Sequence, residues 1–289
     1  MSILTFRKSE KEDVRFRVSR LVEAIWLQSN GSAEIVVEGM ITADEKTNSF
    51  DSFEILIPMN VSEAYDVTES FLNEDLFENK ARNSYKLINE AEKRIVLSNI
   101  PCEVVYPLGV DLLHNHEYSE VHVTFPKAIQ KSEVRPFRII LKVPKLANKT
   151  RTYYHGIVTY EFSISLYDIS QVEHSRQLRR QLESQKDRLV ECERVYLWAV
   201  SPEDVEVVRV SPSPIQIVDY NRKGPLSEDV GKTRKAIYWE PKTLTAFPWS
   251  KMRFTGTLRK QSILSITTII AIAGFAVGVI GLMLHFLSR

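Results

Sequence analysis

The chain has 289 residues, with 38 basic and 37 acidic side chains and a net charge of +1. A balance this even gives no reason to expect bulk binding to nucleic acid. Two cysteines, Cys102 and Cys192, are too few for a disulfide framework in a chain of this length.

Strand signals dominate the first half. Val14, Phe16 and Val18 alternate with Arg15 and Arg17, the period of a half-buried strand. The run continues through Ile25-Trp26-Leu27 to Ser29-Asn30-Gly31-Ser32. Asn-Gly between apolar runs predicts a hairpin with a type I′ turn, whose two central residues both need positive φ. The returning strand is predicted over Ala33–Thr42, and a third over Phe53–Ile57. Asn60–Arg82 reads as a short helix or loop rich in acids. Further short strands are predicted at Tyr85–Ile88, Arg94–Leu97, Glu103–Tyr106, Tyr118–Phe125 and Pro136–Val143. Short strands with turns every 8–12 residues or so predict a β-sandwich.

Pro144–Thr150 is polar and lacks apolar periodicity, which suggests a domain boundary. Beyond it come a long alternating strand at Tyr153–Tyr167 and a soluble helix at 171–193 with Leu178, Leu182 and Leu189 on one narrow face. Strands are predicted at Val195–Val200, Val205–Val210, Ile215–Tyr220 and Ala236–Trp239. The expected fold is therefore mainly β, with one or two Ig-like β-sandwich domains. Residues 1–146 would form the N-terminal domain and 147–260 a membrane-proximal one carrying the helix.

From Ile263 to Leu287 there is no Asp, Glu, Lys or Arg. A helix over this stretch would be roughly 37 Å long, against a hydrocarbon core of about 30 Å. It reads as a single transmembrane anchor. The N-terminus carries charges where a signal peptide needs an apolar core, and the residues before the anchor are basic. Together they predict a tail anchor with the bulk of the chain in the cytoplasm. Between Lys232 and Lys260 eight basic residues (Lys232, Arg234, Lys235, Lys242, Lys251, Arg253, Arg259 and Lys260) face one acid, Glu240, so this strip is expected to lie against anionic headgroups.

Within the anchor, Thr267, Ala271, Gly274, Gly278, Gly281 and His285 follow one another at alternating steps of four and three, which places them on one helix face. Gly274 and Gly278 form a G-x-x-x-G, whose small side chains let two helices approach closely. Self-association is expected there.

Chemistry is harder to find. His114, His116, Glu120 and His122 crowd one segment, and two histidines with a carboxylate can bind zinc. A polar hairpin loop explains the same residues, so no metal site is assigned. No G-x-S-x-G, P-loop, G-x-G-x-x-G or H-E-x-x-H motif occurs. The expectation is a non-enzymatic protein without cofactor, whose head binds an as yet unidentified cytoplasmic protein or ligand. The alternative is a membrane effector whose clustered anchors form a pore or disrupt the bilayer.

Overall fold

The computed structural model describes residues 5–8, 16–43, 49–57, 59–69, 85–89, 94–97, 100–102, 105–115, 118–152, 157–165, 180, 190, 195–211, 213–220, 234–239, 253–261 and 266–287. Its strands are β1 (Thr5–Lys8), β2 (Phe16–Leu27), β3 (Ala33–Ala43), β4 (Ser49–Ile57), β5 (Glu63–Asp66) and β6 (Tyr85–Asn89). Next come β7 (Arg94–Leu97), β8 (Ile100–Cys102), β9 (Gly109–His114), β10 (Ser119–Gln130), β11 (Val134–Val143) and β12 (Asn148–Thr152). The last six are β13 (Ile157–Ser165), β14 (Val195–Val200), β15 (Glu206–Ser211), β16 (Gln216–Tyr220), β17 (Arg234–Trp239) and β18 (Arg253–Gln261). One helix, α1 (Ile266–Leu287), follows. The protein is mainly β, as its alternating sequence predicts.

The strands form four sheets, ordered β1-β4-β10-β9, β16-β17-β14-β2-β3-β11-β5, β12-β13-β18-β15 and β6-β7-β8. All described pairings are antiparallel except one, β14 beside β2. That pairing joins strands from both sides of Pro144–Thr150 into a single seven-stranded sheet. The linker-like stretch itself holds the first residues of β12, and Leu146 and Ala147 within it are buried.

The larger core lies on one face of the seven-stranded sheet. Phe16, Leu21 and Ile25 of β2 share it with Phe53 and Ile55 of β4, Val121 of β10, Phe162 of β13 and Leu258 of β18. Phe16 stacks on Phe50 at 4.8 Å. A second cluster lies on the opposite face, around Trp26, Val36, Ile140, Trp198 and Tyr238. Both Trp26 and Trp198 are fully enclosed, each removing on the order of 200 Å² from water.

This two-sided burial corrects the expectation of a half-buried strand. From Arg20 onward β2 is buried on both faces, since it sits centrally between β3 and β14 with a core above and below. The bulge between Val18 and Arg20 marks where alternation gives way.

The Asn-Gly hairpin exists, but its turn is not type I′. Of its residues Gly31 alone has positive φ, at +91°, and Gln28 N–H donates to Ser32 O across a longer loop. Asn30 Oδ1 accepts from both Ser32 N and Ser32 Oγ, which holds the loop locally. The rest of its shape comes from outside. Gly31 O accepts from the backbone N–H groups of Leu146 and Ala147, and Ser29 O from Lys149 Nζ and Tyr160 Oη.

Strands β1, β5, β8, β9, β12 and β18 are additional to those predicted; of the predicted strand Glu103–Tyr106, residues 105 and 106 are not in a strand and residues 103 and 104 lie outside the described residues. The predicted helix at 171–193 lies outside the described residues apart from Arg180 and Val190, as does most of 60–82 beyond residue 69.

Candidate functional site

The outer face of the sheet β1-β4-β10-β9 carries a row of polar side chains. Val121, Val123 and Phe125 of β10 point into the core, so Glu120 and His122 point out. Register places His122 opposite Glu54 on β4 and opposite Asp111 on β9. The imidazole then lies between two nearly buried carboxylates. His122 Nδ1 is 3.7 Å from Glu54 Oε1, and Nε2 is 3.5 Å from Glu120 Oε2. Asn115 Nδ2 donates to Glu120 Oε1 at 3.3 Å. The imidazole thereby stands between a carboxylate of β4 and one of its own strand β10 on the outer face of the sheet.

The histidine cluster expected from the sequence is thus divided. Glu120 and His122 come together. His114 is paired with Ser119, whose parity is that of the core-facing residues, so it belongs to the other side of the sheet. His116 lies outside the described residues. Glu54, 68 residues before His122 in the chain, is the neighbour that local spacing does not reveal. Among the described residues no group of three or more His, Cys, Asp or Glu is placed to hold a metal ion.

A second polar group lies on the outer face of the seven-stranded sheet. Arg138 Nε and Nη2 both donate to Glu38 Oε2, at 3.0 and 2.8 Å, and both residues are buried. The Arg20 guanidinium lies over the Tyr196 ring at 5.2 Å, and Trp198 stacks on Tyr238 at 4.4 Å. Nothing local in the sequence signals this group, because Glu38 and Arg138 stand 100 residues apart.

The basic strip is split as well. Arg234 is buried against Glu203, and Lys235 pairs with Asp219. Arg259 is exposed on β18. Arg253 and Lys260 belong to the same strand, whereas Lys232, Lys242 and Lys251 lie outside the described residues.

Helix α1 contains Thr267, Ala271, Gly274, Gly278, Gly281 and His285. A Cβ added at Gly274 or Gly278 would meet nothing within 4 Å. Its large described side chains are exposed, Phe275 at 75% and Ile270 and Met283 at 63%. Considering the described residues alone, which in α1 include side chains only at 270–280, 282 and 283, no helix is long and apolar enough to cross a membrane.

No protein-family model matches the chain, and no curated protein matches it. Among solved structures it is similar to an M1 zinc metallopeptidase from Deinococcus radiodurans, with 8% identity and a TM-score of 0.36 over 88% of this chain and 44% of that one. A variant of that metallopeptidase bound to a Tyr-Ser-Ala substrate gives 9% identity and a TM-score of 0.34, over 85% and 42%. The Capitella teleta AChBP in complex with lobeline gives 7% identity and a TM-score of 0.13, over 90% and 85%. The chain spans less than half the length of the metallopeptidase. Similarity at these scores carries no argument about activity.

Proposed function

We propose that the protein is a single-pass membrane protein whose β-sandwich head faces the cytoplasm and binds a protein or ligand, while α1 anchors it and pairs with a second copy. The observation that carries this reading is α1 itself. It has 22 residues without one charged side chain, and its described apolar side chains lie open to the surroundings. At 1.5 Å per residue it is about 33 Å long, matched to a hydrocarbon core of about 30 Å. In water, each large side chain left exposed forgoes roughly 1.5–3 kcal/mol of burial. The head has two cores of its own and none of the described α1 residues belongs to either. Lipid is the solvent that suits such a helix.

The short spacing between β18, which ends at Gln261, and α1, which begins at Ile266, supports a head close to the bilayer, and exposed Arg259 suits anionic headgroups there. The clear space at Gly274 and Gly278 suits close approach of an identical helix. Two heads held by one pair of anchors would bind a repeated target with avidity.

Carbonate washing of membranes from cells making the full chain tests the anchor. The protein should stay in the pellet and be released by detergent. Recovery in the aqueous fraction overturns the reading.

A further inference from the structure

Glu23 lies where the two halves of the seven-stranded sheet meet. On β2 it falls between Leu21 and Ile25, which both enter the larger core, so its side chain points into that core. It is opposite Val37 on β3 and opposite Leu197 on β14. The pairing of β14 with β2 is the one junction in the sheet between β14-β17-β16 and β2-β3-β11-β5. Glu23 is completely buried, and neither of its carboxyl oxygens has a hydrogen-bond partner.

Its surroundings are apolar on every described side. Along its own row the sheet reads Trp239, Leu197, Glu23, Val37, Ile139 and Asp66. Asp66 stands three strands away, roughly 14 Å at ordinary strand spacing, and is bonded to Thr68 and the Leu108 N–H. On β17, Lys235 is paired with Asp219, and on β11 Arg135 is paired with Glu133 and covered by the Tyr106 ring. From the facing strands β4, β10, β13 and β18, Tyr160 is the one titratable side chain among the described members of this core, and its hydroxyl donates to Ser29 O. Nothing described compensates a charge on Glu23.

We propose that the β2–β14 junction is a proton-operated joint, in which protonated Glu23 lets the two halves of the sheet close and ionised Glu23 favours their separation. Desolvation by burial pushes the Glu23 carboxyl up from 4.5 to about 8, the direction this geometry demands. Closure therefore takes up a proton between those values. The stability of the closed joint is fully present below about 4.5 and falls as pH rises toward 8, then levels off. The inference is independent of the membrane reading, since Glu23 belongs to the head.

Amide hydrogen exchange on the full chain in detergent, corrected for the intrinsic pH dependence of exchange, reads the joint directly. From pH 5 to 8, protection of the β14 and β17 amides should fall by about tenfold per unit. Amides of β9 and β10 should hold their protection. Glu23→Gln should abolish the slope at β14 and β17, and Glu23→Leu should do the same should the amide variant fold poorly. Protection independent of pH in the unmodified chain overturns the proposal, as does a slope that survives both substitutions. A uniform loss across all strands overturns it too, because it would reflect global stability and not a joint.

Discussion

Gly39 lies directly beneath the ring of Phe137, its register partner on β11, with no room for a Cβ between them. The same relation holds on another sheet, where Gly256 of β18 lies beneath Phe162 of β13. In each pair the ring fills the space that a side chain on the neighbouring strand would take, so the glycine is covered and the core stays closed. Gly39→Ala should destabilise the protein by about 1–3 kcal/mol through overpacking. Denaturant unfolding measures it. Gly109→Ala is the control, because a Cβ there meets Thr124 Cβ at an ordinary 3.5 Å.

Ser119 closes a buried exchange between β10 and the segment after β4. Its hydroxyl donates to Met59 O and accepts from Val61 N–H, each at 3.0 Å. Both partners are backbone groups beyond a strand end, where no ladder bond replaces a lost one. Ser119→Ala should cost about 1–3 kcal/mol by leaving buried polar atoms unsatisfied. Unfolding equilibria of the two proteins, taken at one pH, provide the comparison. An unchanged midpoint would mean that the 59–61 segment shifts to find other partners.

The Glu38–Arg138 pair calls for a double-mutant cycle. Two nitrogen donors of Arg138 converge on one carboxylate oxygen inside the sheet's outer core. Arg138→Ala should be destabilising by about 3 kcal/mol, since it strips bonds from a buried carboxylate. Combining Glu38→Leu with Arg138→Met should recover much of that loss, because both desolvation penalties vanish together. The coupling energy from the cycle should be about 1–3 kcal/mol. Additive single losses would show that the contact contributes little.

How much of this could be read in advance depends on what each residue faces. Phe16 and Val18, with Arg17 turned out between them, announce a strand. Farther along, Leu21 to Leu27 shows no alternation, since both faces are covered, and only length separates such a run from a helix. β18 hid in plain view: Leu258 and Gly256 face the core while Thr257 and Arg259 do not, and glycine under Phe162 carries no apolar signal. β12 looks like a linker in sequence because its Asn148, Lys149 and Thr150 are exposed on an edge strand. The turn at Asn30-Gly31 obeys contacts from 146–160, which no local rule contains. In the polar row, Glu120 and His122 were legible by parity, and Glu54 became their neighbour through β4–β10 register alone. Glu23 gives no sign of itself in sequence. Its significance is the lack of a partner, which only the packed sheet reveals.

The glycines of α1 separate the two roles proposed for this helix, a pairing anchor and an assembling effector. Gly274 and Gly278 leave clear space on one helix face, while Phe275, Val277 and Ile280 occupy others. Replacing both glycines with Ile fills that space and should weaken self-association at least about tenfold in bilayers, measured by energy transfer between labelled copies. The head is untouched by the change and should keep its fold, so a binding module would lose avidity and retain the affinity of a single head. An effector that works by assembling its anchors would instead lose all activity, and the unmodified chain would release a trapped dye from vesicles. Equal energy transfer before and after the double change would remove the small-residue face from either account.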